Sequence, residues 1–234
     1  MIPLRDENPS RTAPGITRAL IALNCAFFIY ELMLGPNLTG FIETWGMVPA
    51  RLSADLAGHG EPITAPLLTF VTSMFLHGGW MHLIGNMWFL WIFGDNIEDR
   101  LGHFGYLIFY LASGVVAASI QYFSAPHSRA PTIGASGAIA GVLGAYAVAF
   151  PGARVVTLVP FFPFFQVVAL PALVVLGFWF VIQFFSGALS LGMRATGGVA
   201  WWAHIGGFAA GFVLVWIFQK RNRRPVYRRV VKPK

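Results

Sequence analysis

The chain has 234 residues, 56% of them hydrophobic and 11% charged, with a formal net charge of +7. Soluble domains carry about a quarter charged residues, so the composition excludes an ordinary soluble domain and points to a membrane protein of one compact domain. One cysteine, Cys25, excludes an intrachain disulfide, and half of the sixteen Lys and Arg residues lie in the stretch KRNRRPVYRRVVKPK after the last apolar segment, which speaks for membrane topology and anionic headgroups and against nucleic acid.

The first residues, MIPLRDENPSRTAPG, hold no apolar run followed by a cleavage site, so a removable signal peptide is not expected. A spanning helix needs about 20 mostly apolar residues. Six segments are read as spans: 16–34, 79–95, 103–123, 134–150, 167–190 and 200–219. Between the first two, 35–65 is broken by Pro36, Pro49, Pro62 and several glycines and is expected to be an irregular loop. PLLTFVTSMFLHG, 66–78, abuts span two across Gly78 and Gly79 and is expected to be an interfacial or loop helix. The expected architecture is an all-α polytopic membrane protein: a short N-terminal segment 1–15, a six-helix bundle 16–219 and a basic tail 220–234.

Six spans put both termini on one side. If that side is cytoplasmic it holds Arg5, Arg11, Arg18, Arg100, Arg154 and the eight basic tail residues, against Arg51, Arg129 and Arg194 opposite. The asymmetry fits the positive-inside rule. Spans two, four and six then run from the outside inward.

Polar groups in lipid are costly and need partners or a task. Span two carries His82 and Asn86, four apart on one face. Span four, GASGAIAGVLGAYAVAF, carries Ser136 just after its start, and span six, WWAHIGGFAAGF, carries His204 near its start. At a rise of about 1.5 Å per residue the four fall within about 10 Å of one depth, near the outer ends of the inward-running spans. Gly137, Gly141 and Gly144 form one small-residue stripe, and His204, Gly207 and Gly211 another, so the two helices can approach closely. A serine and a histidine brought together in this way have the geometry of a nucleophile and its base. His82, Asn86 and the Ser136 backbone N–H are the candidate oxyanion donors. No carboxylate sits at that depth, which makes a Ser–His dyad the expectation; Glu31 lies near the outer end of span one with no evident partner.

HGGWMHLIGN with His77, His82 and Asn86, GASG with Ser136, and AHIGGFAAG with His204, Gly207 and Gly211 together resemble the rhomboid intramembrane serine proteases in their six-helix prokaryotic form. EDR, with Glu98 and Arg100, resembles that family's ExR feature. The resemblance covers 16–219. It implies that Ser136 attacks a peptide bond of a transmembrane substrate with His204 as base, and that His82, Asn86 and the Ser136 N–H hold the oxyanion. Gly134, Gly137, Gly141, Gly207 and Gly211 would pack the helices around the site. It further implies that span five gates substrate entry and that the loop 191–199 caps the site. The implied setting is the cell membrane, with the site opening to the extracytoplasmic side and a preference for small residues at the cleaved bond. Two departures stand out: Ala140 occupies a position where some members stack an aromatic on the imidazole, so another group must orient His204, with span five a candidate source, and the first loop has no Trp-Arg pair.

Blander readings compete. A serine among glycines is most often a packing residue, and His82 with Asn86 also reads as an interhelical hydrogen-bond pair. His77 reads as a structural or loop-ordering residue; Phe178, Trp179, Phe180, Phe184 and Phe185 read as lipid- or partner-facing bulk. His77 and His82 are five apart on different faces without Cys or carboxylate beside them, so no metal or other cofactor is expected. A non-proteolytic binder of transmembrane helices and a small transporter with a His82–His204 proton relay are the rival functions.

Overall fold

The computed structural model describes residues 1–59, 62, 64–161, 163–190 and 199–219. Helix α1 (Gly15–Met33) has no side-chain cap of its own. The Glu98 carboxylate supplies one, accepting the Ile16 and Thr17 N–H groups at 2.8 Å each and meeting His103 Nδ1 at 2.5 Å. A carboxylate there satisfies orphan donors and complements the helix dipole. The EDR segment therefore ties the start of α1 to the far end of another helix.

The first loop is more regular than its prolines suggested. After a 3-10 turn, Gly35–Asn37, it folds into α2 (Leu38–Trp45) and α3 (Pro49–Leu56). Pro49 opens α3, where its missing N–H costs nothing. Arg51 reaches back to donate to the carbonyls of Glu43, Thr44 and Gly46 at the end of α2.

Helix α4 (Thr64–Thr72), extended by a 3-10 turn at Ser73–Phe75, stands at 81° to α5 (Trp80–Leu101). The expected loop helix is this bent partner. Helix α5 continues past the expected end at Asp95 because its polar residues find partners: Asn96 Nδ2 donates to Asn8 O at 2.8 Å, and Glu98 is engaged as above. It stops at Gly102, whose φ of +78° turns the chain into α6 (His103–Ser124).

Three helices complete the bundle: α7 (Ser136–Ala149), α8 (Ala172–Ser190) and α9 (Trp201–Phe218). Among the described residues, helices α1, α6, α8 and α9 are long and apolar enough to span a membrane, and the bent α4–α5 pair is a fifth when its two helices are taken together. Helix α7, the sixth, has 14 residues, a length of about 21 Å. It falls short of a hydrocarbon core of about 30 Å but is wrapped by its neighbours, with eleven of its residues buried. The core runs through Leu90, Phe93 and Ile97 of α5, Tyr106 and Phe109 of α6, and Leu143 of α7.

Beside this all-α bundle lies one three-stranded antiparallel sheet, ordered β1 (Ile2–Asp6), β2 (Arg154–Phe161), β3 (Phe164–Pro171). Asp6 pairs with Val155 and Ile2 with Leu158; Arg154 pairs with Pro171 and Phe161 with Phe164. Residues 167–171, expected to begin span five, therefore belong to a strand, and the helix starts at Ala172. Pro171 explains the boundary, since it disfavours helix in the residue before it and is suited to a helix start. The sheet is fastened to the bundle by Trp88 Nε1–H donating to Pro3 O at 2.7 Å and by the Tyr146 hydroxyl donating to Asp6 Oδ2 at 2.6 Å.

Candidate active site

The site sits where α5, α7 and α9 begin. Its frame is the contact of α7 with α6 and α9. A Cβ on Gly137 would meet Ala117 Cβ of α6 at 2.7 Å, and one on Gly141 would meet Ser113 Oγ at 2.6 Å. A Cβ on Gly144 would collide with the Phe208 carbonyl of α9, one on Gly207 with Gly137 O, and one on Gly211 with Gly141 O. Both glycine stripes read from the sequence therefore face each other, backbone to backbone.

That approach brings Ser136 Oγ within 2.7 Å of His204 Nε2. Ser136 is the first residue of α7, so its N–H lacks an intrahelical acceptor and points out of the helix end. The turn before it depends on Gly134, which has φ +119° and whose N–H donates to Ser73 O at 2.8 Å. A side chain at 134 would also strike His82, whose Cε1 and Nε2 lie 2.6 Å from the position a Cβ would take, with Asn86 Nδ2 at 3.7 Å. Gly134 is thus the surface against which the His82 ring and the Asn86 amide rest, two residues from the serine.

The donors have a defined state. His82 Nδ1 accepts the Gly78 N–H at 3.4 Å, so in the neutral ring the proton is on Nε2, the atom beside Gly134. Asn86 is 7% exposed and its Nδ2 has no hydrogen-bond partner among the described residues. A buried amide left unpaired is unusual and calls for an explanation. A cavity of about 20 Å³, lined by Ser73, Thr132, Gly134 and Ser136 among others, adjoins the serine. It has room for one water.

The far side of His204 meets α8, the span named as a candidate source of the orienting group, through Gln183, which the sequence did not single out, and Trp179, which it gave only as bulk. Gln183 Oε1 of α8 lies 2.6 Å from His204 Nδ1. Trp179, one turn earlier, has its ring centre 5.9 Å from the imidazole at an interplanar angle of 37°. Of the aromatics read as lipid- or partner-facing bulk, Trp179 and Phe180 pack against α9, Phe180 with its ring centre 4.8 Å from that of Phe208, and Phe178, Phe184 and Phe185 are exposed. The sequence signals were the Ala140 departure, which pointed to span five, and a single amide in that apolar helix one turn after a tryptophan. Ala140 packs against Gly207 at the α7–α9 contact and carries nothing that reaches the ring.

Other residues fall outside the cluster. His77 is buried with its ring 5.1 Å from His82, and its backbone N–H donates to both oxygens of Glu31 at 3.2 Å, the partner that Glu31 lacked in the sequence reading. His59 and His127 are exposed. Arg100 donates to Gln219 Oε1 at 3.0 Å near the end of α9. The loop expected to cap the site, 191–199, lies outside the described residues except for Val199, as does the basic tail 220–234.

The rhomboid domain family matches residues 65–221. Rhomboid-like protein 11, chloroplastic, of Arabidopsis thaliana is 42% identical over 73 residues, 31% of this chain and 26% of its own length. Presenilin-associated rhomboid-like protein A, mitochondrial, of Danio rerio is 32% identical over 167 residues, 69% of this chain and 41% of its own length. Rhomboid protein 1, mitochondrial, of Saccharomyces cerevisiae is 28% identical over 173 residues, 70% of this chain and 45% of its own length. The chain thus spans less than half the length of each of these relatives. With the match across α4 to α9 and four to five membrane-spanning helices among the described residues, the chain belongs to the rhomboid family of multi-pass membrane proteins.

Proposed function

We propose that the protein is an intramembrane serine endopeptidase that cleaves transmembrane segments of other membrane proteins, with Ser136 as nucleophile and His204 as general base. The observation that carries this reading is the 2.7 Å contact between Ser136 Oγ and His204 Nε2 at the start of a helix. In the proposed cycle Nε2 takes the hydroxyl proton as Oγ adds to the scissile carbonyl carbon. The oxyanion so formed is held by the Ser136 N–H, His82 Nε2–H and Asn86 Nδ2–H. Collapse breaks the C–N bond, and His204 returns the proton to the leaving amine. A water then attacks the acyl-enzyme with His204 again as base, restoring the serine and releasing the acid. The cavity beside Ser136 is a source for that water. That the Asn86 Nδ2 donor has no partner among the described residues favours the oxyanion role over the structural pair, because a structural pair would leave neither member unsatisfied.

The remaining parts of the proposal follow from topology. The thirteen-to-three distribution of Lys and Arg between the two sides supports a placement with both termini in the cytoplasm and the site toward the extracytoplasmic face of the cell membrane. Residues 1–15 form a cytoplasmic segment, 16–219 the protease domain and 220–234 a basic tail suited to anionic lipid. Helix α8 is the lateral gate for substrate.

The test compares wild type with Ser136→Ala in detergent, using a panel of transmembrane-helix substrates and a fluorophosphonate. Wild type cleaves and is labelled once, at Ser136, and the variant does neither. A wild type that neither cleaves any of the panel nor labels, or a variant that still does both, overturns the reading; helix binding without cleavage would move the protein to the non-proteolytic binders.

A further inference from the structure

We propose that α8 sets the catalytic imidazole, with Gln183 fixing the tautomer of His204 and Trp179 the plane of its ring, so that the dyad is competent only while α8 is docked on α9. This rests on the serine-protease reading above and assigns two positioning residues to it.

The argument begins with the proton. An imidazole serves as base to Ser136 only if Nε2 carries the lone pair, which requires the proton on Nδ1. Gln183 Oε1, 2.6 Å from Nδ1, is an acceptor and holds the proton there. The reverse tautomer would turn an N–H toward the serine hydroxyl and leave no base. A carboxylate usually does this work in a catalytic triad; in this site an amide oxygen does it without placing a second charge at that depth of the membrane. Trp179 leans over the same ring and restricts its rotation.

The placement of Gln183 supports a dedicated role. It is 7% exposed, while its neighbours Ile182 and Phe184 are 43% and 45% exposed. Trp179, Gln183 and Gly187 follow at one-turn intervals and form the face that α8 turns to α9. Gly187 lets that face close: a Cβ there would meet Trp201 Cβ and Ile205 Cδ1 at 3.2 Å. Yet only five residues of the nineteen in α8 are buried, so the helix is held from one side. Any outward movement that admits a substrate helix takes both positioning groups away from His204. Entry and chemistry then alternate, and the nucleophile is not activated while the gate is open to lipid and water.

The test is a set of α8 variants measured with a helix substrate and with a small fluorophosphonate, alongside Ser136→Ala. Gln183→Met keeps the volume but removes the acceptor. It is expected to lower kcat about 10–100-fold with KM unchanged, and to slow labelling by the same factor. Gln183→Glu, which restores an acceptor oxygen, is expected to recover labelling, and Phe185→Ala, on the exposed face, to label as wild type does. Trp179→Leu is expected to act in the same direction as Gln183→Met, more weakly. Wild-type labelling by Gln183→Met, a loss confined to KM, or an equal loss in Phe185→Ala overturns the proposal. Independently of any variant, NMR of histidine-labelled wild type at neutral pH is expected to show His204 protonated at Nδ1, and protonation at Nε2 alone overturns it. If wild type itself fails to label, the protease reading fails and this proposal with it; if wild type labels and Gln183→Met is indistinguishable from it, only the present proposal fails.

Discussion

Helices α7 and α8 both carry apolar sequence and both border the site, but they are held in opposite ways. Eleven of the fourteen residues of α7 are buried, against five of nineteen in α8. Helix α7 meets α6 and α9 through glycines whose every added carbon would run into a neighbour's backbone or side chain. Helix α8 touches α9 along one stripe and leaves Leu173, Val181 and Phe185 exposed. Ser136 is thus mounted on the more enclosed of the two helices, and Gln183 and Trp179, the groups proposed to position His204, on the less enclosed. On the proposed function this division has a rationale: the reacting atom stays fixed and the part proposed to move carries only positioning groups.

The largest expected effect tests the fixed half. Ser136→Ala is expected to reduce peptide cleavage by at least about 10⁴-fold, to background, without lowering the melting temperature, because the residues that act as a unit with the nucleophile cannot replace it. A smaller loss would mean that the nucleophile lies elsewhere.

Next comes a pair of glycines chosen to break the comparison itself. In Gly211→Val the new side chain has no room against the Gly141 backbone, and overpacking at a helix crossing of this closeness is expected to cost about 3–5 kcal/mol, seen as lost monodisperse protein or a collapsed melting transition. Gly177 of α8 has nothing within 4 Å of where its Cβ would lie. Gly177→Ala is expected to be neutral or to stabilise by about 0.5–1 kcal/mol through backbone entropy. Equal responses in the two helices would show that α7 and α8 are not held differently.

Asn86→Leu sharpens the division between chemistry and scaffold. As an oxyanion donor its loss is expected to lower kcat about 10²–10³-fold at constant KM, while the absence of a partner for Nδ2 predicts little change in melting temperature. A variant that melts early but retains kcat would return Asn86 to the structural reading.

The same contrast explains what could be read from the sequence. The glycine stripes, the spacing of His82 and Asn86, and the positions of Ser136 and His204 near span starts all carry information in local periodicity. Topology then brings them to one depth, and their proximity was foreseeable from those two sources. Gln183 and Trp179 lie in a helix that is apolar all round, where periodicity has no contrast and the inward face cannot be told from the lipid face. The strands 154–161 and 164–171 are mostly apolar, interrupted only by Arg154, Thr157 and Gln166, and periodicity does not distinguish them from the start of a helix. Strand β1 is five residues long and exists through its partner 150 positions away, a pairing that no local pattern encodes. The two short helices of the first loop were hidden by prolines that mark helix starts as readily as breaks.

The sheet also bears on how far α8 can move, and it gives the smallest effect. Strand β3 leads directly into α8, β2 leaves α7 through a short turn, and β1 closes the sheet with Asp6 accepting the Tyr146 hydroxyl from α7. The root of α8 is therefore tethered to α7 even though its body is not. Burial pushes the Asp6 carboxyl up to about 7, with the Tyr146 hydrogen bond opposing. A carboxyl whose folded pKa lies above its ordinary value of 3.8 binds a proton in the folded state that the unfolded chain has already released. Folding stability from this group is thus greatest below about pH 4 and declines as pH rises to about 7, beyond which it is level. After discounting for partial exposure the change is on the order of 1–2 kcal/mol. Melting curves in detergent between pH 5 and 8 are expected to show this decline in wild type and to lose it in Asp6→Asn. Protease nicking near β1 is expected to follow the same profile. Labelling of Ser136 by a fluorophosphonate, corrected for the pH dependence of the dyad by comparison with Asp6→Asn, is expected to be unaffected by the state of Asp6, because the tether acts on the root of α8 and not on the turn that carries Gln183. A labelling rate that tracks Asp6 would instead mean that the sheet and the positioning face of α8 move as one body.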